Sequence, residues 1–335
     1  MILAGDIGGT STRLALFEIR GGQLLPIERE TFSSRAYKSL NEIVGEFLQA
    51  HPVKVEHAAF GIAGPVRQGR VEATNLPWVI DAAQLASELV AANVSLLNDL
   101  EANTYGIFEL APKDFAVLNA GSPSEGGNIG VISAGTGLGE AGAAWDGTRF
   151  IVFATEGGHT DFAPRSEEEI DLLRFLQQRF GGRVSYERVL SGPGLYTIYQ
   201  FLRDTGRAVE DAWLRDEMQH SDPSALIGQY GMNGKSELCV RALDWFVSIY
   251  GAEAGNLALK LMATRGIFVG GGIAPKILPK LQSGAFLEAF CAKGRFEPLL
   301  RAIPVRVLLN DQAALLGAAR YAGLQAGLIQ KAVAL

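Results

Sequence analysis

Three glycine-rich turns carry chemistry that can be argued from residue type and spacing. Asp6-Ile7-Gly8-Gly9-Thr10 lies between two apolar stretches. Backbone N–H groups in such a turn can converge on one concavity and bind an anion. Glycine leaves no side chain between backbone and phosphate, Thr10 adds a hydroxyl, and Asp6 at the strand end suits Mg2+ through water, because that ion keeps much of its hydration. An ordinary hairpin turn with Asp6 capping its own backbone uses the same residues. Gly135-Thr136-Gly137-Leu138-Gly139 is the second turn. It lacks the Gly-Lys-Ser/Thr ending of a P-loop, and a strand rather than a helix is expected after it, unlike a Rossmann fingerprint. Gly270-Gly271-Gly272 closes a third strand ahead of Pro275 and a helix, and would let an adenine ring lie against bare backbone. Together the three turns point to nucleotide binding.

A set of polar residues suits a polyol. Asn98-Asp99 ends a short buried strand (94–97). Ligands of open α/β sheets gather at that edge, and a carboxylate there can take a proton from a hydroxyl nucleophile. Asp99 would equally serve as N-cap of a helix over 100–109. Glu156-Gly157-Gly158-His159 follows a strand, and its two glycines favour a loop presenting Glu and His over a helical metal half-site. Glu187, ahead of Val189-Leu190-Ser191-Gly192-Pro193-Gly194, reads in isolation as a surface carboxylate. His51, His57 and His220 carry no pattern.

The elements that must position these residues follow an α/β order. Strands are expected at 2–7, 12–19 and 23–32, with Gly21-Gly22 as a two-residue hairpin. A helix over 39–50, an apolar run at 53–62 and a helix near 81–92 come next. A second series begins after Pro112, with strands at 115–119, 128–134 and 140–145. Ser166, Glu169 and Gly181 mark a capped helix over 166–181. Residues 236–264 read as a long helical stretch, broken near Gly251 and Gly255. Strands at 266–270 and 304–309 and a helix over 311–325 complete the chain. The segments IGGTSTRLALFE (7–18) and AGTGLGEAGAAW (134–145) both put a glycine turn between two strands, which suggests a duplicated core.

The chain has 335 residues, length for about two domains. It is 48% hydrophobic and 20% charged, which excludes a disordered chain. A net charge of −6 argues against a nucleic-acid partner. Cys239 and Cys291 lack C-x-x-C spacing, so neither a zinc knuckle nor a disulfide framework is expected. No signal peptide or membrane span is read from the sequence, and a cytoplasmic setting is expected.

GDIGGTSTRLAL (5–16), LLNDLEAN (96–103), SAGTGLGEAG (133–142), EGGHTDFAP (156–164), ERVLSGPGLYTIY (187–199), FVGGGIAPKI (268–277) and KGRF (293–296) occur in this order. Together they closely resemble the bacterial ATP-dependent glucokinase family of the hexokinase–actin–Hsp70 superfamily, from about residue 3 to about 323. The resemblance implies a two-lobed ribonuclease H-like/actin-like ATPase fold with a duplicated βββαβα core and a central cleft. Its small lobe would be 1–110 plus 301–335, its large lobe 111–300. It implies that Asp99 is the catalytic base toward the glucose 6-hydroxyl, and that Asn98, Glu156, His159 and Glu187 are further glucose ligands. Gly5, Asp6, Ile7, Gly8, Gly9 and Thr10, with Gly135, Thr136, Gly137 and Gly139, would hold the ATP phosphates, and Gly270 and Gly271 would lie near adenosine. ATP and Mg2+ as cofactors and a homodimer are implied too. The related repressor/ORF/kinase family carries a cysteine-rich zinc motif after its G-H segment; here TDFAPRSEEE (160–169) follows, so no structural zinc is expected. The rivals are a kinase for another hexose, a non-catalytic sugar sensor or regulator, and a chaperone-like ATPase. A regulator would need a DNA-binding module, for which no room is expected ahead of a turn that begins at residue 5.

Overall fold

A computed structural model describes residues 1–91 and 93–329. Residue 92, the end of the expected 81–92 helix, and residues 330–335 lie outside the described residues. The chain divides into two units: 1–112, 142–154 and 310–335 form the first, 113–141 and 155–309 the second.

The first unit runs β1 (Ile2–Ile7), β2 (Ser11–Arg20), β3 (Gln23–Ser33), α1 (Leu40–Ala50), β4 (His57–Ile62), a short pair β5 (Arg70–Glu72) and β6 (Val79–Asp81), α2 (Ala82–Leu89), β7 (Asn93–Asn98) and α3 (Asp99–Gly106). Its five-stranded sheet has the order β3-β2-β1-β4-β7. β1, β2 and β3 pair antiparallel, while β4 and β7 join parallel to β1. Gly21 and Gly22 have φ of 59° and 80°, the left-handed pair that a two-residue hairpin of this twist requires. Successive side chains of β1 face opposite ways. Leu3 and Ile7 therefore enter a core with Ile43, Val44 and Phe47 of α1, while Ile2 and Ala4 enter another with Ala102 of α3. Strand β4 is confined to the second half of the expected 53–62 run, and α2 stops at Leu89, where Val90 turns left-handed.

The second unit contains β8 (Phe115–Asn119), β9 (Ile129–Ala134), β10 (Leu138–Trp145), β11 (Phe150–Thr155), α4 (Glu167–Phe180), α5 (Gly192–Asp204), α6 (Ala212–Met218), α7 (Pro223–Asn233), α8 (Glu237–Leu261), β12 (Gly266–Gly270), α9 (Leu278–Leu281), α10 (Ala285–Cys291), α11 (Glu297–Ala302) and β13 (Val305–Leu308). The distal parts of β10 and β11 fall in the first unit, as does the last helix, α12 (Ala313–Gln325). The sheet order β11-β10-β9-β12-β13-β8 repeats the order of the first sheet and adds β8 as an antiparallel edge. The duplication suggested by the two glycine turns is thus a duplication of whole sheets.

Helix α8 is unbroken over 25 residues. A Cβ on Gly251 would lie 2.0 Å from the Phe286 carbonyl oxygen, and one on Gly255 2.5 Å from that of Phe290. These glycines admit the backbone of α10 against α8 instead of ending the helix. The cap of α4 also departs from a full capping box. The Ser166 hydroxyl accepts the Glu169 N–H at 3.2 Å, but the Glu169 carboxylate turns to the Arg165 N–H at 2.7 Å and to the Arg165 guanidinium.

Candidate active site

In the first unit, the parallel strands deliver their C-terminal ends together. Asp6 pairs with Gly61, and Ile62 with Asn98. Asp6 also stands opposite Arg13 of β2, whose Nη1 lies 3.7 Å from its carboxylate. Arg13 bonds Asp311 more closely, at 2.7 Å to its carbonyl and 2.9 Å to its carboxylate. Burial pushes the Asp6 carboxyl up to about 6; Arg13 opposes this, and the negative charges of Asp99 and Asp311 add to it.

The Gly8-Gly9-Thr10 turn is braced through its acceptors. Gly8 N–H closes the turn on Ser11 O at 3.0 Å, the Ser34 hydroxyl donates to Gly8 O at 2.7 Å, and Ser34 N–H donates to Thr10 O at 3.0 Å. Thr10 is exposed and Ile7 is buried in the core. Gly5 lies inside β1, where a Cβ would meet the Phe60 ring at 2.4 Å, so its place is in the packing beneath the turn.

Asn98, not Asp99, is the N-cap of the following helix. Its Oδ1 accepts the N–H groups of Leu100 at 2.9 Å and Glu101 at 3.4 Å, and its amide reaches Gly64 O at 3.3 Å. Asp99 is the first residue of α3, and its Oδ1 also accepts Leu100 N–H at 2.9 Å. Strand pairing extends through Asn98, so the helix starts one residue earlier than the expected 100 and ends at Gly106.

In the second unit, Gly135 to Gly137 join β9 to β10 with the same economy of carbonyls, and Leu138 and Gly139 of the expected turn already belong to β10. Gly135 N–H donates to Gly137 O, and Gly192 N–H to Gly135 O, each at 2.8 Å. Three of the sequence-predicted glucose residues gather at the end of this turn. Glu187 Oε2 accepts Leu138 N–H at 3.0 Å. Gly158 sits on the other face of the same residue: a Cβ there would lie 2.0 Å from Leu138 O. Glu156 and His159 flank the Gly157-Gly158 pair as a 3₁₀ turn, both well exposed, with His159 Nε2 3.9 Å from Glu156 Oε2. Backbone bonds from Tyr186 N–H to Thr160 O and from Phe162 N–H to Val184 O, both 2.9 Å, tie this turn to the segment carrying Glu187.

Gly135 and Thr136 open on a cavity of about 790 Å³. Pro193 and Leu195 of α5, Met232 of α7, and Ile273 and Ile277 give it apolar walls. Asp222, Ser224, Gln229, Asn233 and Lys276 give it polar groups. Its size suits a nucleoside phosphate. Of the third glycine run, Gly272 lines the cavity. Gly270 ends β12, paired with Ser133. Gly271, at φ 85°, makes the turn, where a Cβ would lie 2.2 Å from Ala134 O. The α5 and α7 contributions were missed from sequence. Their signals are Ser191 before Pro193 and Asp222 before Pro223, each an N-cap followed by an early proline. Among the described residues no group of three His, Cys, Asp or Glu could hold a metal ion, and no helix is long and apolar enough to cross a membrane.

Comparison with known proteins assigns the family. The glucokinase family model matches residues 3–325. A glucokinase of Nostoc sp. strain PCC 7120 is 44% identical over 337 residues, covering 95% of this chain and 98% of its own. The crystal structure of a glucokinase from an Antarctic psychrotroph is 30% identical with a TM-score of 0.85, covering 96% of this chain and 98% of its own. That of Balamuthia mandrillaris glucokinase in complex with glucose superposes with a TM-score of 0.79 at 22% identity, over 96% and 93%, a likeness of fold. The duplicated sheets are therefore those of the actin-like sugar kinases, and the chain belongs to the glucokinase family.

Proposed function

We propose that this protein transfers the γ-phosphoryl group of ATP to the 6-hydroxyl of D-glucose, giving glucose 6-phosphate and ADP at the entry to glycolysis. One observation carries the reading beyond family membership. A single glycine turn lines a nucleotide-sized cavity with Gly135 and Thr136, and two residues later its Leu138 peptide holds Glu187 on its N–H and the Glu156–His159 turn on its carbonyl side.

In this reading Asp99 takes the proton of the 6-hydroxyl as the phosphoryl group leaves ATP. Asn98, Glu156, His159 and Glu187 bind the remaining hydroxyls, whose mixed donors and acceptors match carboxylate, amide and imidazole groups. Gly8, Gly9 and Thr10, with Gly135 to Gly139, receive the phosphates on backbone N–H groups, while Gly270 to Gly272 shape the adenosine end. Positioning and electrostatics supply most of the acceleration.

Asp6 is suited to Mg2+. Its half-buried carboxyl is raised to about 6, faces further negative charge from Asp99 and Asp311, and has only a loose ion pair to Arg13. A hydrated cation would compensate that charge, and the ion would supply neutralisation of the phosphate oxygens. The implied homodimer and cytoplasmic setting belong to the same reading; light scattering reads the first directly.

Steady-state assays with coupled ADP detection test the function. Glucose is expected to be the preferred acceptor over fructose, mannose and N-acetylmannosamine, with ATP preferred to polyphosphate as donor. Equal turnover without any sugar would contradict it. A second experiment tests the nucleotide cavity. Gly228 of α7 lines it, and a Cβ there meets nothing within 4 Å. Gly228→Phe should raise KM for ATP about tenfold, equivalent to about 1.4 kcal/mol of binding, and leave KM for glucose nearly unchanged. A variant with unaltered KM for ATP would place the nucleotide elsewhere.

A further inference from the structure

Beneath the Glu156–His159 turn lies a polar network that the proposed mechanism does not use. Glu140 of β10 and Glu253 of α8 are both buried, at 2% and 0% exposure. The two carboxyl groups are close enough for the Glu253 charge to act directly on Glu140. Glu140 Oε1 is buried without a hydrogen-bond partner among the described residues. Its other oxygen supports the turn, for a Cβ on Gly157 would lie 2.0 Å from Glu140 Oε2. The backbone of the same residue holds the turn from below. The Thr155 hydroxyl donates to Glu140 O at 2.9 Å and accepts Gly157 N–H at 3.2 Å.

The partner acid is fixed from several sides. Glu253 accepts from Asn256 Nδ2 at 2.7 Å and from Lys260 Nζ at 3.1 Å. Asn256 also donates to the Tyr186 hydroxyl at 3.1 Å and accepts from Lys293 Nζ at 2.6 Å. Tyr186 immediately precedes Glu187, so one network underlies both segments that carry the proposed sugar ligands.

We propose that Glu140 is a positioning residue for glucose: its side chain, pinned by Glu253, is the floor that sets the Glu156–His159 turn. The proposal rests on the assignment of that turn to glucose. The charged and titratable groups facing the pair are Lys260 and Tyr250 of α8 and Tyr186, with Lys293 and Arg165 beyond them. Burial first, then the Glu253 charge, pushes the Glu140 carboxyl up to about 8, with Lys260 opposing. Glu140 is thus held toward its protonated form beside the Glu253 carboxyl. Above about pH 8 it ionises, two buried carboxylates repel, and the floor beneath Gly157 is disturbed.

The test compares wild type, Glu140→Ala and Glu140→Gln in glucose and ATP kinetics from pH 6 to 9.5. Glu140→Ala is expected to raise KM for glucose about tenfold, with KM for ATP held within about twofold. Glu140→Gln keeps a donor to Glu253 and should restore a near-normal KM for glucose at pH 7. In wild type KM for glucose should climb above about pH 8, and Glu140→Gln should lack that climb. A folded Glu140→Ala with unchanged KM for glucose, or with both KM values raised alike, would overturn the proposal. So would an alkaline climb that persists in Glu140→Gln, the decisive result should the alanine variant not fold. Wild-type turnover of glucose in the same series reports on the sugar assignment separately. Its absence would overturn that assignment and this proposal with it, whereas its presence with unresponsive variants would overturn the positioning role alone.

Discussion

Asp99→Ala is expected to lower turnover by about 10²–10⁴-fold, the range for removing a positioned general base, while part of the glucose affinity survives. The structure leaves the cap of the helix intact in this variant. The cap of α3 is Asn98, whose Oδ1 takes the Leu100 and Glu101 N–H groups. The Leu100 N–H that the Asp99 carboxylate shares keeps its bond to Asn98 Oδ1 when that carboxylate is removed. The helix start and the Asn98 amide bond to Gly64 remain. Coupled ADP detection gives kcat, titration calorimetry gives the glucose affinity, and thermal unfolding checks the fold. Turnover near the wild-type rate would refute the role of Asp99 as base.

The second large effect concerns the support of that same helix. α3 and α12 cross in the first unit at two glycines. A Cβ on Gly106 would lie 1.8 Å from Ala313 O, and one on Gly317 1.7 Å from Ala102 O. Both obstacles are backbone, which no rotamer change can relieve. Gly317→Val must push α12 away from α3, and with it the core of Ala102, Ala314, Leu315 and Ala318. Overpacking typically costs about 1–3 kcal/mol, occasionally more, and the upper end is expected here. That corresponds to a fall in Tm of roughly 6–12 °C for the first unit, at about 2–4 °C per kcal/mol for a unit of roughly 150 residues. Turnover should fall as well, because α3 carries Asp99 at its first position. The control is Gly45→Ala on α1, where a Cβ meets nothing within 4 Å. It should stabilise by about 0.5–1 kcal/mol through helix propensity. Equal behaviour of the two variants in calorimetry would show that close helix approach is not what position 317 provides.

Much of this arrangement was legible in the residues. Glycine turns flanked by alternating strands located β1–β2 and β9–β10, because tight turns and period-2 burial are local properties. Ser166 and Gly181 bounded α4 for the same reason. Where sequence reasoning fell short, the deciding contact was distant. Gly251 and Gly255 read as helix breakers, yet the carbonyls of Phe286 and Phe290, more than thirty residues away, explain why glycine stands there. Asn98 and Asp99 are equally good caps by residue type; the pairing of Asn98 with Ile62 of β4 decided between them. Strand β11 was read only as an unbounded strand ahead of Glu156, and helices α5 to α7 were passed over because capping prolines and short apolar runs are weak signals beside glycine-rich motifs. The cavity walls that α5 and α7 supply were missed with them. Glu140 gave no sequence signal of burial, since Glu253 of α8 and the Gly157-Gly158 turn that cover it lie elsewhere in the chain.

The most direct test of the central assignment is a crystal structure with D-glucose and a non-hydrolysable ATP analogue bound. The Asp99 carboxylate is expected within about 2.6–3.2 Å of the C6 oxygen, with the analogue's adenosine in the cavity lined by Gly272 and Ile273. Glucose bound with its C6 oxygen out of reach of Asp99 would contradict the account.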